Sequence, residues 1–108
     1  MPSNLILGEL EQFLLLIILQ LGDSADARGI RSALRERVGR ACARGALYRT
    51  LDRLEEKGLL KWELEPGTPR RGGYARRIFQ VSAPGLAALR SSRQALLGLW
   101  SGVEEVLR

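Results

Sequence analysis

The hydrophobic pattern of the chain changes its period at Gly58, and this change limits the folds open to it. Before it, Leu47, Leu51 and Leu54 recur at the spacing of one buried helix face. After it, "LLKWELE" alternates between apolar and polar residues, as a strand with one covered face does. A second segment, "ARRIFQV", follows the loop "PGTPRRGGY", whose glycines and prolines indicate a turn. We therefore predict a helix leading into a hairpin over residues 45–81.

Two amphipathic segments before residue 40 predict two more helices. The first, "GELEQFLLLIILQLG", is expected to be helical from about Gly8 to Leu21 and to end at Gly22. Ser24 is expected to cap a second helix over "ADARGIRSALRERV". One face of the first helix carries the stripe Leu10, Leu14, Ile17 and Leu21. Three leucines lie off that stripe and predict a second apolar surface, for another helix or subunit: Leu15, Leu16 and Leu19.

Three helices with short connections, followed by a hairpin, form a winged helix-turn-helix. The predicted fold class is therefore mainly α with one small β-hairpin, whose loop is the wing. We place this unit at residues 1–81 and a final helix, capped by Ser82, at residues 82–108. Apolar residues repeat along that helix at heptad spacing, interrupted only by Arg93, and predict a dimerisation helix. The predicted dimer interface comprises Leu15, Leu19, Leu86, Leu89, Leu96, Trp100, Val103 and Leu107.

The charge of the chain is unevenly distributed. The net charge is +5, yet residues 28–77 hold 14 Lys and Arg against 6 Asp and Glu, while the other residues hold 3 against 6. A concentrated positive charge on a winged helix indicates a polyanionic partner, and double-stranded DNA is the partner we predict.

Candidate DNA contacts lie on the third helix and on the wing. Gly45 lets the helix N-terminus approach a duplex, Tyr48 offers a hydroxyl to phosphate, and Arg49 can reach base edges or phosphate. Every cation of the wing is an arginine, whose planar guanidinium fits phosphate and narrow minor grooves. The predicted DNA-binding residues are Arg44, Gly45, Tyr48, Arg49, Arg53, Arg70, Arg71 and Arg76.

Each of these clusters has a second interpretation. The helix face can be a solvated surface of neighbouring charges. The hairpin charges can serve to discourage strand pairing between molecules. Arg76 and Arg77 can line the base of the wing without reaching DNA.

The residue types present exclude several kinds of chemistry. The chain has no histidine and one cysteine, which excludes an internal disulfide, a Cys/His zinc site and imidazole catalysis. We predict no enzyme activity and no cofactor. Cys42, between Arg40 and Arg44, is either an ordinary loop residue or a redox-sensitive thiol. The longest apolar run has 7 residues, whereas a membrane span needs about 20, so we expect a cytoplasmic protein without membrane contact.

Trp100 also has two interpretations. It is predicted to be part of the dimer interface. Alternatively, Trp100 and its dimer mate flank a slot in which a small aromatic effector stacks, which would make the protein a ligand-responsive regulator.

The segment "ARGALYRTLDRLEEKGLL", the Trp-bearing strand after it and "PGTPRRGGYARRIFQVSAPGLAALR" resemble the PadR family of bacterial transcriptional regulators, in its short form with a single C-terminal helix. The similarity runs nearly end to end. It implies a winged-helix homodimer, usually a repressor, whose first and last helices form the dimer interface. It also implies that Tyr48 and Arg49 stand where the family's Leu-Tyr-Arg motif contacts DNA. The chain departs from the family at residues 26–28, where Asp-Ala-Arg replaces a His-Gly-aromatic or Tyr-Gly signature.

These features predict a sequence-specific DNA-binding regulator, a dimeric repressor on a pseudo-palindromic operator. The alternative from another class is a winged-helix module that binds an acidic protein and not DNA. Binding to random duplex at low salt separates the two, because only a DNA-binding protein gains affinity from releasing the counterions of the duplex.

Overall fold

The structure, a computed structural model that describes residues 6–107, is mainly helical with one antiparallel hairpin. Its helices and strands are α1 (Glu9–Leu21), α2 (Ala27–Val38), α3 (Arg44–Glu56), β1 (Leu60–Glu65), β2 (Arg76–Val81) and α4 (Ala83–Trp100). Short 3₁₀ turns cover Gly22–Ser24, Pro69–Arg71 and Glu104–Leu107. The predicted fold class is confirmed. Residues 1–5 and 108, which the predicted domain bounds include, lie outside the described residues.

Helix α1 lies at the centre of the fold because apolar residues cover most of its circumference. It packs against α2, α3, α4 and β2. Leu14 and Leu15 are completely buried, so the expectation that Leu15 faces a second chain is wrong: the single chain already covers it. The leucines of α1 that remain exposed are Leu16 and Leu19.

Two buried polar side chains fasten the start of α1 to other helices. Ser92 of α4, which is 1% exposed, accepts a hydrogen bond from the Leu7 N–H at 3.0 Å. Glu11 accepts one from the Gly8 N–H at 2.9 Å and forms an ion pair with Lys57, next to the end of α3, at 2.8 Å. Since a buried polar group without a partner is costly, these contacts fix where α1 begins.

Glu11 makes the stability of the fold depend on pH in the acid range. Burial opposes ionisation of this carboxyl, but hydrogen bonds from Lys57 and Gly8, together with nearby positive charge, outweigh it and lower the pKa below its ordinary 4.5. The ionised carboxylate therefore contributes stability that is present above the ordinary pKa and lost as the pH falls through the lowered one.

In the Glu11→Gln variant we expect a lower free energy of unfolding at neutral pH and a shallower decline as the pH falls below the ordinary carboxyl pKa of 4.5. Urea denaturation at a series of pH values measures both quantities. If the free energy of unfolding fell as steeply with pH in the variant as in the unaltered protein, other carboxyl groups would be responsible for the acid sensitivity.

Helix α2 begins at a different cap from the one predicted. Asp26 caps it, since its Oδ1 accepts a hydrogen bond from the Gly29 N–H at 2.7 Å, while Ser24 lies in the preceding 3₁₀ turn. The neighbouring strand β2 explains why Asp26, and not Ser24, caps the helix. The Ala25 carbonyl accepts the Phe79 N–H at 2.8 Å, which holds the chain against β2 until just before Asp26.

The hairpin is covered only at its inner end. The strands pair from Leu60 opposite Val81 to Glu65 opposite Arg76. Leu60 and Phe79 are each 3% exposed and belong to the core. Leu64, expected on the covered face with Leu60, is 63% exposed. The outer part of the hairpin therefore projects from the core as a wing.

Helix α4 packs closely on the junction between α3 and β1. The Ser82 Oγ caps α4 by accepting the Gly85 N–H at 3.1 Å, and it donates to the Gly58 carbonyl at 2.6 Å. The Ser82 N–H donates to the Leu59 carbonyl at 3.1 Å. The buried face of α4 consists of small residues, namely Gly85, Ala88 and Ser92. These small side chains let the helix backbone approach the core, and the leucine seam lies away from it.

That seam is not one continuous helix, contrary to prediction. Helix α4 ends at Trp100, Ser101 is extended, and Gly102 has a φ of 85°, a conformation that glycine adopts readily and other residues do not. Val103 and Leu107 therefore lie beyond the end of α4. The predicted interface residues that are exposed are Leu19, Leu86, Leu96, Trp100, Val103 and Leu107, and Leu89 is partly buried. None of the helices within residues 6–107 has the length and apolar character needed to cross a membrane.

Candidate nucleic-acid interface

The N-terminal end of α3 combines exposed cations with uncapped backbone amides. The cap position is Ala43, whose side chain offers no hydrogen-bond acceptor. The first N–H groups of the helix are therefore available to an external anion, which the partial positive charge of a helix N-terminus also attracts. The predicted α3 residues are all exposed: Arg44, Gly45, Tyr48, Arg49 and Arg53.

Gly45 and Arg49 share the outer face of that helix end. A Cβ placed on Gly45 would lie 3.3 Å from the Arg49 Nη1. The Arg49 guanidinium therefore lies back along the helix towards its N-terminus, beside the available amides. An anion at this end of α3 can contact the arginine and the backbone together.

A groove between α2, the start of α3 and the wing collects cations from separate parts of the chain. Its volume is about 1110 Å³. A second groove of about 670 Å³ continues from it between α3 and the hairpin, sharing Arg28 and Tyr48 and reaching Arg77. We call the first of these the basic groove; its polar and aromatic lining includes Arg28, Arg31, Arg35, Arg44, Tyr48 and Tyr74. Arg44 and Tyr48 of α3 and Tyr74 of the wing thus border one continuous surface.

Sequence reasoning missed the arginines of α2. Arg28 and Arg35 are exposed and form no ion pair within residues 6–107. Arg31 is partly buried, and its Nε donates to the Cys42 carbonyl at 2.9 Å, which fixes the loop before α3. Arg28, Arg31 and Arg35 are three and four residues apart, and residues at these spacings lie on one helix face. Their spacing therefore indicated a shared basic face of α2.

Cys42 lies in the wall of the basic groove. It is partly buried, and its Sγ is 3.6 Å from the Ala43 carbonyl oxygen. Its position beside the cationic side chains agrees with the predicted neighbourhood. A redox role for this thiol stays a prediction.

The wing arginines differ in what they contact. Arg70 is exposed and forms no ion pair within the described residues. Arg71 pairs with Glu65 at 3.0 Å and donates to the carbonyls of Pro66 and Tyr74. Arg70 is therefore available to an external anion, whereas Arg71 is bound by other residues of the wing.

Arg76 and Arg77 are held at the base of the wing. The Arg76 Nε lies 2.8 Å from Glu65 Oε1 and its Nη1 lies 2.9 Å from Asp26 Oδ2; these hydrogen bonds raise the pKa of Arg76. Two carboxylates thus hold the Arg76 guanidinium at the base of the wing, and its contact with DNA stays a prediction. The Arg77 guanidinium lies 4.5 Å from the centre of the Trp62 ring, as in a cation–π contact.

Comparison with known proteins gives matches among solved structures. No protein-family model matches the chain, and no curated protein matches it significantly. A PadR-like transcription factor from Bacteroides fragilis is 26% identical with a TM-score of 0.70, over 90% of this chain and 88% of its own. A PadR family transcriptional regulator from Eggerthella lenta DSM 2243 is 27% identical with a TM-score of 0.69, over 93% of this chain and 87% of its own.

A third structure shares the fold at lower identity. Bacillus subtilis PadR in complex with operator DNA is 14% identical with a TM-score of 0.61, over 82% of this chain and 47% of its own. The first two structures are a transcription factor and a transcriptional regulator, not enzymes. These matches, together with the helices and the wing, show that the chain is similar to PadR-like transcriptional regulators and shares their winged-helix fold.

Proposed function

We propose that this protein is a transcriptional regulator that binds double-stranded DNA through the basic groove, the outer face of α3 and the wing. The observation that carries this proposal is that arginines from α2 and α3 and an aromatic residue of the wing line one groove. A single polyanion can therefore contact all three elements. A duplex fits this shape, because its major groove admits a helix while the backbone or minor groove beside it meets a wing. The operator complex of Bacillus subtilis PadR, which has the same fold, supports this choice of partner.

Each element has its own role in the proposed complex. Arg49 reads a base edge, and Gly45 with the uncapped amides allows the helix end to approach the duplex. Tyr48 donates its hydroxyl to a phosphate oxygen. The remaining cations bind the backbone from three sides: Arg28 and Arg35 from α2, Arg44 and Arg53 from α3, and Arg70 from the wing.

We further propose that two copies act together and that their binding represses transcription. The exposed leucine pair of α1 and the exposed seam of α4 are apolar surfaces of the kind that a second copy covers. A two-fold dimer places one α3 in each of two major grooves, so the operator is a pseudo-palindrome whose half-sites lie about 10 bp apart or a multiple of this. Leu16 replaces Leu15 among the proposed interface residues, since only Leu16 is exposed.

Selection of bound sequences from a random DNA pool tests the proposal most directly. We expect a two-fold symmetric sequence to emerge. For binding to that sequence, a plot of the logarithm of the binding constant against the logarithm of salt concentration should have a slope of about −0.9 for each phosphate neutralised. A protein-interaction module would enrich no sequence and would not bind random duplex at low salt.

Trp100→Ala should weaken the dimer. Trp100 is 41% exposed at the end of α4, within the seam that we assign to the second copy. Large aromatic residues contribute most to such interfaces, so we expect the dissociation constant to rise about 30-fold, measured by sedimentation equilibrium. Leu99→Ala, one position off the seam, is the matched control. A Trp100→Ala protein that stays dimeric at nanomolar concentration would favour the alternative role of Trp100 in binding an aromatic effector.

A further inference from the structure

Glu65, the last residue of β1, holds two of the four wing arginines. Its Oε1 accepts a hydrogen bond from the Arg76 Nε at 2.8 Å and lies 3.0 Å from the Arg71 Nη1. The Arg76 Nη1 also lies 2.9 Å from Asp26 Oδ2, and Asp26 caps α2 through its other carboxylate oxygen. One chain of ionic contacts therefore connects the turn of the wing to the start of α2.

These contacts fold the loop of the wing onto its own base. Glu65 and Arg76 form the last pair of the strand ladder, so residues 66–75 have no strand partner to hold them. Arg71 spans that loop, since it contacts Glu65 and the carbonyls of Pro66 and Tyr74. Arg70 and the groove-lining Tyr74 lie on the same loop, whose internal backbone hydrogen bonds run from Thr68 to Tyr74. The contacts of Arg71 with Glu65 fix how this loop lies against the base of the wing.

A carboxylate on a DNA-facing hairpin is unfavourable for affinity, because it repels phosphate and neutralises arginines that would attract it. Without Glu65, however, the Arg71 and Arg76 guanidinium groups would lie near each other without a shared counter-charge. Their repulsion would then move the loop away from its base. The geometric role and the electrostatic role of Glu65 thus have opposite effects on DNA binding.

We propose that Glu65 is a positioning residue for sequence discrimination, an inference that rests on the proposed DNA-binding function. It holds the wing in the arrangement that fits one DNA sequence, and it lowers the affinity for DNA of any sequence. Its removal should reduce the preference for the operator without reducing general affinity.

Glu63 provides a matched control for this role. It lies two residues earlier on β1, is exposed, stands opposite Ile78, and forms no ion pair within residues 6–107. Glu63→Ala therefore removes the same charge from the same strand without releasing an arginine. The difference between the Glu63→Ala and Glu65→Ala variants isolates the geometric contribution.

The test measures binding of the full chain to the selected operator and to random duplex, by fluorescence anisotropy at one salt concentration. In Glu63→Ala we expect both affinities to change by the same factor. In Glu65→Ala we expect the ratio of operator to random affinity to fall about tenfold, comparable to one mismatched base pair, with random-duplex affinity unchanged or higher. An equal ratio in the two variants would overturn the inference and leave the DNA-binding function in place. A wild-type protein that does not prefer operator would overturn both.

A second measurement needs no DNA. Trypsin cleaves after arginine, so the rate of cleavage at the Arg71–Gly72 bond reports how firmly the loop is held. We expect faster cleavage in Glu65→Ala than in Glu63→Ala; equal rates would overturn the inference. If Glu65→Ala does not fold, Glu65→Gln replaces it in both assays, since it keeps the shape and loses the charge, and the same outcomes apply.

Discussion

Gly85→Ala should lower the free energy of unfolding by about 3 kcal/mol, the upper part of the range for overpacked sites. The added Cβ would lie 2.1 Å from the Leu59 carbonyl oxygen and 2.7 Å from the Val81 Cγ1, both inside contact distance. The Leu59 carbonyl cannot retreat without losing the hydrogen bond from the Ser82 N–H. Helix α4 must therefore move outward and expose its buried residue Ala88. Urea denaturation monitored by circular dichroism measures the loss.

Gly98→Ala is the control on the same helix. Within residues 6–107, a Cβ added there would have no atom within 4 Å other than those of its own helix backbone and its chain neighbours. Alanine favours a helix over glycine by up to about 1 kcal/mol, so this variant should be as stable as the unaltered protein or more so. If Gly85→Ala proved equally stable, the close approach of α4 to Leu59 would not be a constraint on the fold.

Arg49→Ala should weaken operator binding by about 10- to 100-fold and remove discrimination at one base position in each half-site. The physical reason is that a guanidinium bonded to a base edge rejects the wrong base, while a phosphate contact does not. Anisotropy titrations against the operator and its single-base variants measure both effects.

Arg90→Ala removes the same charge from α4, away from the basic groove, and should change binding little. Weaker binding of Arg49→Ala with every base preference retained would show that Arg49 contacts only the backbone. We expect Arg49→Ala to lose its base preference at that position, whereas Arg90→Ala should keep the affinity and the preference of the unaltered protein.

The apolar spacing of the sequence was sufficient to predict most elements of the fold. Leu47, Leu51 and Leu54 were expected to form the buried stripe of α3, and each is no more than 1% exposed. Gly58 follows α3 with a φ of 75°, as its position at the change of period suggested. Ser82 caps α4 as predicted, because a hydroxyl residue before a proline in the first turn is a strong local signal.

The errors arose where the outcome depends on distant parts of the chain. Leu15 is buried because α1 is surrounded by other elements, and the periodicity of one helix does not reveal how many neighbours it has. Asp26 replaced Ser24 as the cap of α2 because β2 binds the backbone at Ala25. Both residues are good caps, so local preference alone could not choose between them.

The sequence predicted which charged residues belong to the candidate site, but it did not predict which of them form ion pairs with each other. The prediction placed Arg71 and Arg76 among the DNA contacts without their ion pairs, because the contact of each with Glu65 depends on the strand register and on the shape of the loop. Arg28 and Arg35 were not among the predicted DNA contacts, because the sequence of α2 does not show that this helix lies beside α3 and the wing. In both cases three-dimensional proximity, which local sequence patterns do not contain, decides which cations remain available.

In the proposed dimer, the junction at Ser82 would limit the spacing of the half-sites that two copies bind together. Ser82 bonds the carbonyls of both Gly58 and Leu59, so the first turn of α4 has little freedom to swivel relative to the last turn of α3. If α4 holds two copies together, the distance and angle between their reading helices are set by this rigid connection. One base pair inserted between the half-sites turns the second one by roughly 35° about the duplex axis, and following this rotation would break the hydrogen bonds of Ser82.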